Sequence, residues 1–226
     1  MKKIGFIGAC DKTNLIMYVA KVLEIIGKRV IVVDTTITQK TKYVVPSINP
    51  TKTYITDFEN VDYAVGFESM DDIKEYLRVR EENLPYDYML IDIDHEKAIE
   101  KFGVENTKYN YFVTSFDMYS LRRGIEILKN LNEPMNLSKI LNDYSVEQED
   151  EEYLKYLTLD TKVAWNEFDL YLPTTSFDQQ MIEENQRVYR LRLKKLSAEY
   201  QEGILYIVQD IVQDLTANRI KKMIKE

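Results

Sequence analysis

The sequence holds few of the residues from which compact reactive sites are most often built. It has one Cys and one His in 226 residues. A single Cys excludes an intrachain disulfide and any Cys-based zinc site, and it fits a reducing compartment. A single His excludes a His-rich metal centre within one chain, so neither zinc nor haem is expected. Only seven residues are Gly and five are Pro; seven glycines are about 3% of the chain, against roughly 7% in average usage. No run approaches the ~18–20 apolar residues that span a bilayer. The opening MKKIGFIGA is too short in its apolar part to be a secretory signal. The expected address is the cytoplasm, with the inner face of the membrane as a peripheral option.

What is present suits a folded chain: 45% hydrophobic and 30% charged residues, with a net charge of −8. That balance argues against disorder and against indiscriminate binding of nucleic acid by the whole surface. The length allows a sizeable core, and one domain over residues 1–226 is expected.

Residues 3–7 form a short apolar run that ends in Gly8-Ala9-Cys10, a buried strand followed by a tight loop. Leu15, Val19, Val22, Leu23 and Ile26 recur at helical spacing, with Gly27 where a C-cap belongs. The run KRVIVVD (28–34) is β-branched and wants burial on both faces, as in a parallel sheet. Strand, loop, helix and strand make a βαβ unit with a right-handed crossover. Further strands are expected at 54–55, in YDYMLIDID after Pro85, at 111–114, at 137–141 and at 163–172, the last closed by Pro173. Helices are expected at 71–80 with Ser69 as cap, at 120–131, at 182–196 and at 203–224. The acidic run 147–152 reads as a loop or a helix start, and as a solvated helix N-terminus ahead of a binding role. Alternating strands and helices predict an α/β protein with a mostly parallel sheet flanked by helices.

The loop between the first strand and first helix reads Phe6-Ile7-Gly8-Ala9-Cys10-Asp11-Lys12-Thr13. Backbone N–H groups at a helix N-terminus, together with one Lys, surround phosphate oxygens in the G-x-x-x-x-G-K-[ST] pattern. The Lys12-Thr13 pair stands in the right place. The two pattern glycines are Phe6 and Asp11. Asp34 ends the second strand, and Asp92 stands near the end of a buried strand, where an acid can hold Mg²⁺ through water.

Taken with YFVTSFDMYSLRRGIEILKNL, KILND and DLYLP, these segments resemble the MinD/ParA family of deviant-Walker P-loop ATPases over essentially the whole chain. The resemblance extends to TadZ/CpaE-like atypical members. It implies a single-domain, three-layer P-loop NTPase-like fold. It also implies ATP and Mg as cofactors, nucleotide contacts from Gly8, Ala9, Cys10, Asp11, Lys12, Thr13, Asn14 and Asn142, and a Mg set of Thr13, Asp34 and Asp92. A homodimer through the loop face and an unidentified protein partner or cargo are further implications.

The departures bear on function. The family loop reads roughly K-G-G-x-G-K-[ST]; its signature Lys is Ile7 here, and the Gly before the loop Lys is Asp11. The family's second aspartate, two residues after the one matched by Asp34, is Thr36. A carboxylate at position 11 repels triphosphate; unit charges about 4 Å apart repel by about 4 kcal/mol at an effective dielectric near 20. Asp11 can instead cap the first helix, so that the loop holds its own anion. The expectation is a degenerate Walker A loop with weak or absent ATP hydrolysis in a positioning or assembly factor, for a pilus or secretion apparatus or a plasmid. The alternatives are a working ATP-dependent dimerisation switch and a DNA-binding partition protein.

Two further features are charged. Arg187, Arg190, Arg192, Lys194 and Lys195 cluster late in the chain. Residues 187–226 carry nine basic against five acidic residues, which leaves −12 for the rest. They read either as DNA-phosphate contacts or as a solvated helical face. The last stripe, Val208, Ile211, Val212, Leu215, Met223 and Ile224, is flanked by Lys221 and Lys222. It reads either as a lipid-binding amphipathic helix or as a helix packed on the domain. His95 is read as a surface His or a general base. Cys10 is read as a small loop residue whose pKa a helix N-terminus could lower.

Overall fold

The computed structural model describes residues 1–48, 51–79, 84–142, 148–172 and 174–225. Among the described residues, eight strands form one sheet: β1 Lys2–Ile7, β2 Val30–Asp34, β3 Tyr54–Phe58, β4 Val61–Val65, β5 Tyr88–Ile93, β6 Tyr109–Thr114, β7 Met135–Leu141 and β8 Val163–Tyr171. Their spatial order is β3-β4-β2-β5-β1-β6-β7-β8. Every pairing is parallel except the β3–β4 hairpin at one edge. The helices are α1 Thr13–Ile25, α2 Thr41–Val44, α3 Met70–Tyr76, α4 Glu96–Phe102, α5 Met118–Lys129, α6 Gln148–Leu157, α7 Ser176–Arg187, α8 Ala198–Val212 and α9 Ala217–Lys225.

The sheet is central because its strands are apolar on both faces. In β2, Val30 and Val32 join one core while Ile31 and Val33 join the other, which is the period-two alternation of a strand buried on both sides. The first core packs β-residues against α1, α7, α8 and α9; the second packs them against α3, α4, α5 and α6. Three layers result, as expected.

Local chemistry sets most ends. Gly27 has φ +81 and closes α1: its N–H reaches the Glu24 carbonyl while Lys28 N–H reaches Leu23, a left-handed helix stop that glycine adopts without Cβ strain. Ser69 accepts from Asp72 N–H at the start of α3, as expected. The helix ends at Tyr76 and not at 80; residue 80 lies outside the described residues.

Several expectations need correction. The strand β4 and the helix α4 were not anticipated. Both are short, and the first shares its hairpin with β3 through Glu59 and Asn60, at φ +56 and +60. The helix expected at 182–196 starts at Ser176 and stops at Arg187. Thr175 and Asp178 form a capping box there, a start signal that outranks the apolar periodicity further on. Tyr189 turns left-handed at φ +48, and residues 193–195 form a 3₁₀ turn. The helix expected at 203–224 is two helices, broken where Gln213 takes φ +52. The acidic run does open a helix, α6, from Gln148; Glu147 lies outside the described residues, as do Asp143 and Pro173.

Candidate functional site

The carboxyl ends of β1, β2 and β5 converge, as ligand sites do in open parallel α/β sheets. Gly8 must be glycine here: a Cβ would stand 2.0 Å from the Val113 carbonyl oxygen, at φ +153. This close approach carries the chain from β1 over the end of β6 and into the loop.

Lys12 does not project into solvent. Its ammonium lies 2.7 Å from Asp92 Oδ1, with the two side chains 2% and 4% exposed, and donates to the Gly8 carbonyl at 2.8 Å. Asp92 Oδ1 has this ion pair but no well-aligned hydrogen bond. Desolvation raises the Asp92 pKa to about 6, with Lys12 opposing it and Asp34 adding to it. Desolvation also works against the Lys12 ammonium, but Asp92 and the neighbouring acidic groups outweigh it and hold that pKa above its ordinary value.

Asp11 faces the other way. Its Oδ1 accepts the Thr13 N–H at 3.1 Å, and its Oδ2 pairs with Lys40. Desolvation pushes its pKa up, but Lys40 and the Thr13 N–H more than offset that, and the carboxyl lies below its usual value. The expected helix cap is corrected in one respect: the N-cap position belongs to Lys12, which makes no side-chain cap bond, and Asp11 takes its donor from one residue further out. Cys10 is also corrected. Its thiol donates to the Val113 carbonyl at 3.2 Å, and burial pushes its pKa up to about 11, away from a reactive thiolate.

Asp34 is completely buried and organises the loop after β2. Oδ1 accepts from Thr36 N–H at 3.0 Å and from Thr36 Oγ1 at 2.6 Å; Oδ2 accepts from Thr41 N–H at 3.0 Å. Asp94, two residues past Asp92, clasps the Ile37 N–H with both oxygens. Thr35 ties the same loop to the Asp92 carbonyl. Residues 35–41 are therefore pinned over the end of the sheet by three side-chain anchors.

Two clefts open beside the loop. One, of about 430 Å³, is lined by Ala9, Cys10, Asp11, Lys12, Thr13, Asp92 and the exposed rings of Tyr43 and Tyr119. The second, of about 570 Å³, is lined by Asn14, Asn142, Thr174 and Gln186. Asn142 Oδ1 accepts from Thr174, and Asn14 Oδ1 accepts from Gln186. Asp11 and Lys40 line both clefts; their ion pair stands at the junction.

In this arrangement the groups that would meet a magnesium–triphosphate already have partners within the protein. The Lys12 charge and the Thr13 N–H are already engaged inside the protein, and both Asp34 oxygens are hydrogen-bonded. No cluster of three acidic, Cys or His side chains that could hold a metal occurs among the described residues. The sequence pointed to Asp11, Lys12, Asp34 and Asp92, and all four converge here. It missed Asp94, whose only signal was the repeated Asp of IDID, and Lys40, which carried none.

The remaining candidates lie elsewhere. The late basic residues do not share one helical face. Arg187 pairs with Glu183 at 3.2 Å on α7, and Arg190 lies 3.6 Å from Glu59 across the fold. Lys194 and Lys195 belong to the 3₁₀ turn after Arg192. In α9 Ile220 is fully buried and Met223 and Ile224 lie partly buried against the core, as does Leu215 just before the helix, while Lys221 pairs with Glu202 at 2.8 Å and Lys222 is exposed. In this structure the stripe lies against the domain. No helix among the described residues is long and apolar enough to cross a membrane. His95 caps α4, its Nδ1 accepting from Ala98 N–H at 3.1 Å.

No protein-family model and no curated protein matches the chain. Solved structures do. A ParA family ATPase from Chlorobium tepidum TLS superposes with a TM-score of 0.61 at 12% identity, covering 92% of this chain and 98% of that one. A putative plasmid partition protein from Borrelia burgdorferi B31, bound to AMPPNP, gives 0.61 at 12% identity over 95% and 100%. The Aquifex aeolicus MinC:MinD cell division protein complex gives 0.60 at 12% identity over 96% and 97%. The chain has the fold of the ParA/MinD ATPases.

Proposed function

We propose that this chain is a ParA/MinD-like positioning protein, one unit over residues 1–226, whose nucleotide site is closed by the protein's own charges. It binds ATP weakly and turns it over little. The observation that carries this reading is the inward commitment of Lys12 to Asp92 and Gly8, with Asp11 occupying the Thr13 N–H that a phosphate oxygen would need. A triphosphate has to displace the Asp11 carboxylate from the Thr13 N–H and break a buried ion pair before it gains any contact. The proposed role is that of a homodimeric assembly factor for a pilus or secretion apparatus or a plasmid, acting from the cytoplasm or the inner face of the membrane.

Calorimetry with Mg·ATP tests this. Wild type should bind weakly, and Asp11→Gly, which removes the carboxylate and frees the Thr13 N–H, should bind at least about tenfold tighter. Micromolar binding by wild type, with turnover lost in Lys12→Ala, would refute it.

The second reading is a working ATP-dependent switch. The retained Gly8 geometry favours it, as does the AMPPNP held by one structural neighbour; here Asp11→Gly would change affinity little. A third reading, a DNA-binding partition protein, loses its expected helical face with the end of α7 at Arg187. A salt-dependent retardation of plain duplex DNA, lost on charge reversal at Arg187, Arg190, Arg192, Lys194 and Lys195, would restore it.

A further inference from the structure

A third cavity, of about 360 Å³, lies on the far side of residues 35–39 from the Lys12 cleft. It sits beyond the carboxyl ends of β2 and β4, so it occupies a place where parallel sheets offer ligands a crevice. Among the described residues, Lys42, Lys52, Lys97 and Lys101 line it, with Glu68 as the one carboxylate and His95 at the rim of α4. Four lysines against one glutamate make this cavity net positive by three, in a chain whose net charge is −8.

The convergence is built by the backbone. Gly66 has φ +83, and a Cβ there would stand 2.1 Å from the Lys52 carbonyl oxygen. Only glycine lets the segment before β3 lie this close to the end of β4, and that approach brings Lys52 to the cavity. The charges are little compensated. Glu68 reaches Lys101 only at 3.8 Å and is itself 70% exposed, and Lys42 touches the Tyr43 ring at 6.0 Å. Lys52 and Lys97 make no ion pair among the described residues. Since His95 uses Nδ1 as the cap acceptor, its remaining nitrogen is the ring's donor.

We propose that this cavity binds a small phosphorylated molecule carrying at least two phosphate groups. Four lysines lining a concave site of this size suit a compact polyanion: an ammonium turned to the ligand adds a charge-assisted hydrogen bond, and the volume lies within the range of small-ligand pockets. Duplex nucleic acid is too wide to enter such a recess. The site is separate from the Lys12 cleft, and its ligand does not depend on whether that cleft holds nucleotide. Thr36 lines both cavities, so the pinned loop is the wall they share.

The chain has one His, which makes His95 a built-in reporter. Inorganic pyrophosphate is titrated into the full chain at constant pH and ionic strength while the His95 ring protons are followed by NMR. A saturable shift is expected. Lys52→Gln with Lys97→Gln should weaken it by about tenfold or more, and Glu68→Gln should tighten it about threefold by removing the one opposing charge. Lys221→Gln with Lys222→Gln, a matched loss of charge elsewhere, should leave it unchanged. Opposite directions at Lys52/Lys97 and Glu68 are not what a folding defect produces. The proposal is overturned if the ring signal fails to move at millimolar pyrophosphate, if chloride moves it equally, or if Lys52→Gln with Lys97→Gln leaves the midpoint in place.

Discussion

Breaking the Lys12–Asp92 pair from either side should cost far more than removing it whole. The pair is 2.7 Å long with both side chains almost wholly buried. Lys12→Met leaves an uncompensated carboxylate in the core, and Asp92→Leu leaves an ammonium with only the Gly8 carbonyl. Leaving one partner of a buried pair unmatched costs about 3–5 kcal/mol, whereas an apolar replacement of both is close to neutral. Each single variant should therefore lose on the order of 10 °C in melting temperature, and Lys12→Met with Asp92→Leu should lie near wild type. Urea denaturation across the four proteins gives the coupling energy directly. A value below about 1 kcal/mol would mean that the ammonium is not committed inside the protein, and the closed-site reading would fall with it.

The pH dependence of the same variants is a second check on sign. The Asp92 pKa is raised from 3.8 to about 6 on folding. An acid raised in this way takes up a proton on folding between those values. Its burial penalty is thus absent below the lower value, grows as pH rises through the window, and is complete above the upper one. In Lys12→Met the opposing Coulombic attraction is gone, so the pKa climbs further. Moving from about pH 7 to about pH 5 should then restore more stability to Lys12→Met than to wild type. Equal recovery in both would contradict the assignment.

Two other outcomes follow from the packing. Gly8→Ala pushes a Cβ to 2.0 Å from the Val113 carbonyl, and it should cost upwards of about 3 kcal/mol or yield insoluble protein, read as a shift in urea midpoint; a near-neutral result would mean that the loop has room to move. Asp178 is fully buried and accepts from Thr175 and from both the N–H and hydroxyl of Ser197. Burial alone would raise its pKa, but these donors hold it below 3.8, so its contribution is present above that value and lost as pH falls through the folded one. Asp178→Ala should cost about 2–3 kcal/mol at neutral pH and progressively less in acid; a cost independent of pH would refute the network.

The legibility of the chain was uneven for physical reasons. The apolar runs 30–34 and 88–93 are buried on both faces, so the parallel sheet could be read from their apolarity. The cap at Ser69 and the stop at Gly27 are local signals read within a few residues. The helix ends near 187 and 213 were misread because apolar spacing continues past both. There the chain turns at positive φ at Tyr189 and Gln213, both exposed, a backbone turn that apolar spacing does not encode. The hairpin of β3 and β4 was half seen, since its second strand carries an Asp and a Tyr among its five residues.

By itself, the sequence determined the three-layer α/β fold and the gathering of Asp11, Lys12, Asp34 and Asp92 at one end of the sheet. Strand order and the strand-loop-helix unit require that much. What those four groups do was decided only by the tertiary structure. Lys12 turns to Asp92, Asp11 to Lys40 and Thr13, and Asp34 to the loop at 36 and 41. A charge, above all a buried one, takes the nearest opposite charge or donor that three-dimensional packing supplies, and the partners Lys40 and Thr41 lie 29 and 7 residues away along the chain. The scarcity of glycine reflects the same division. Composition showed that glycines were few; the fold showed that Gly8 and Gly66 stand where no other residue fits.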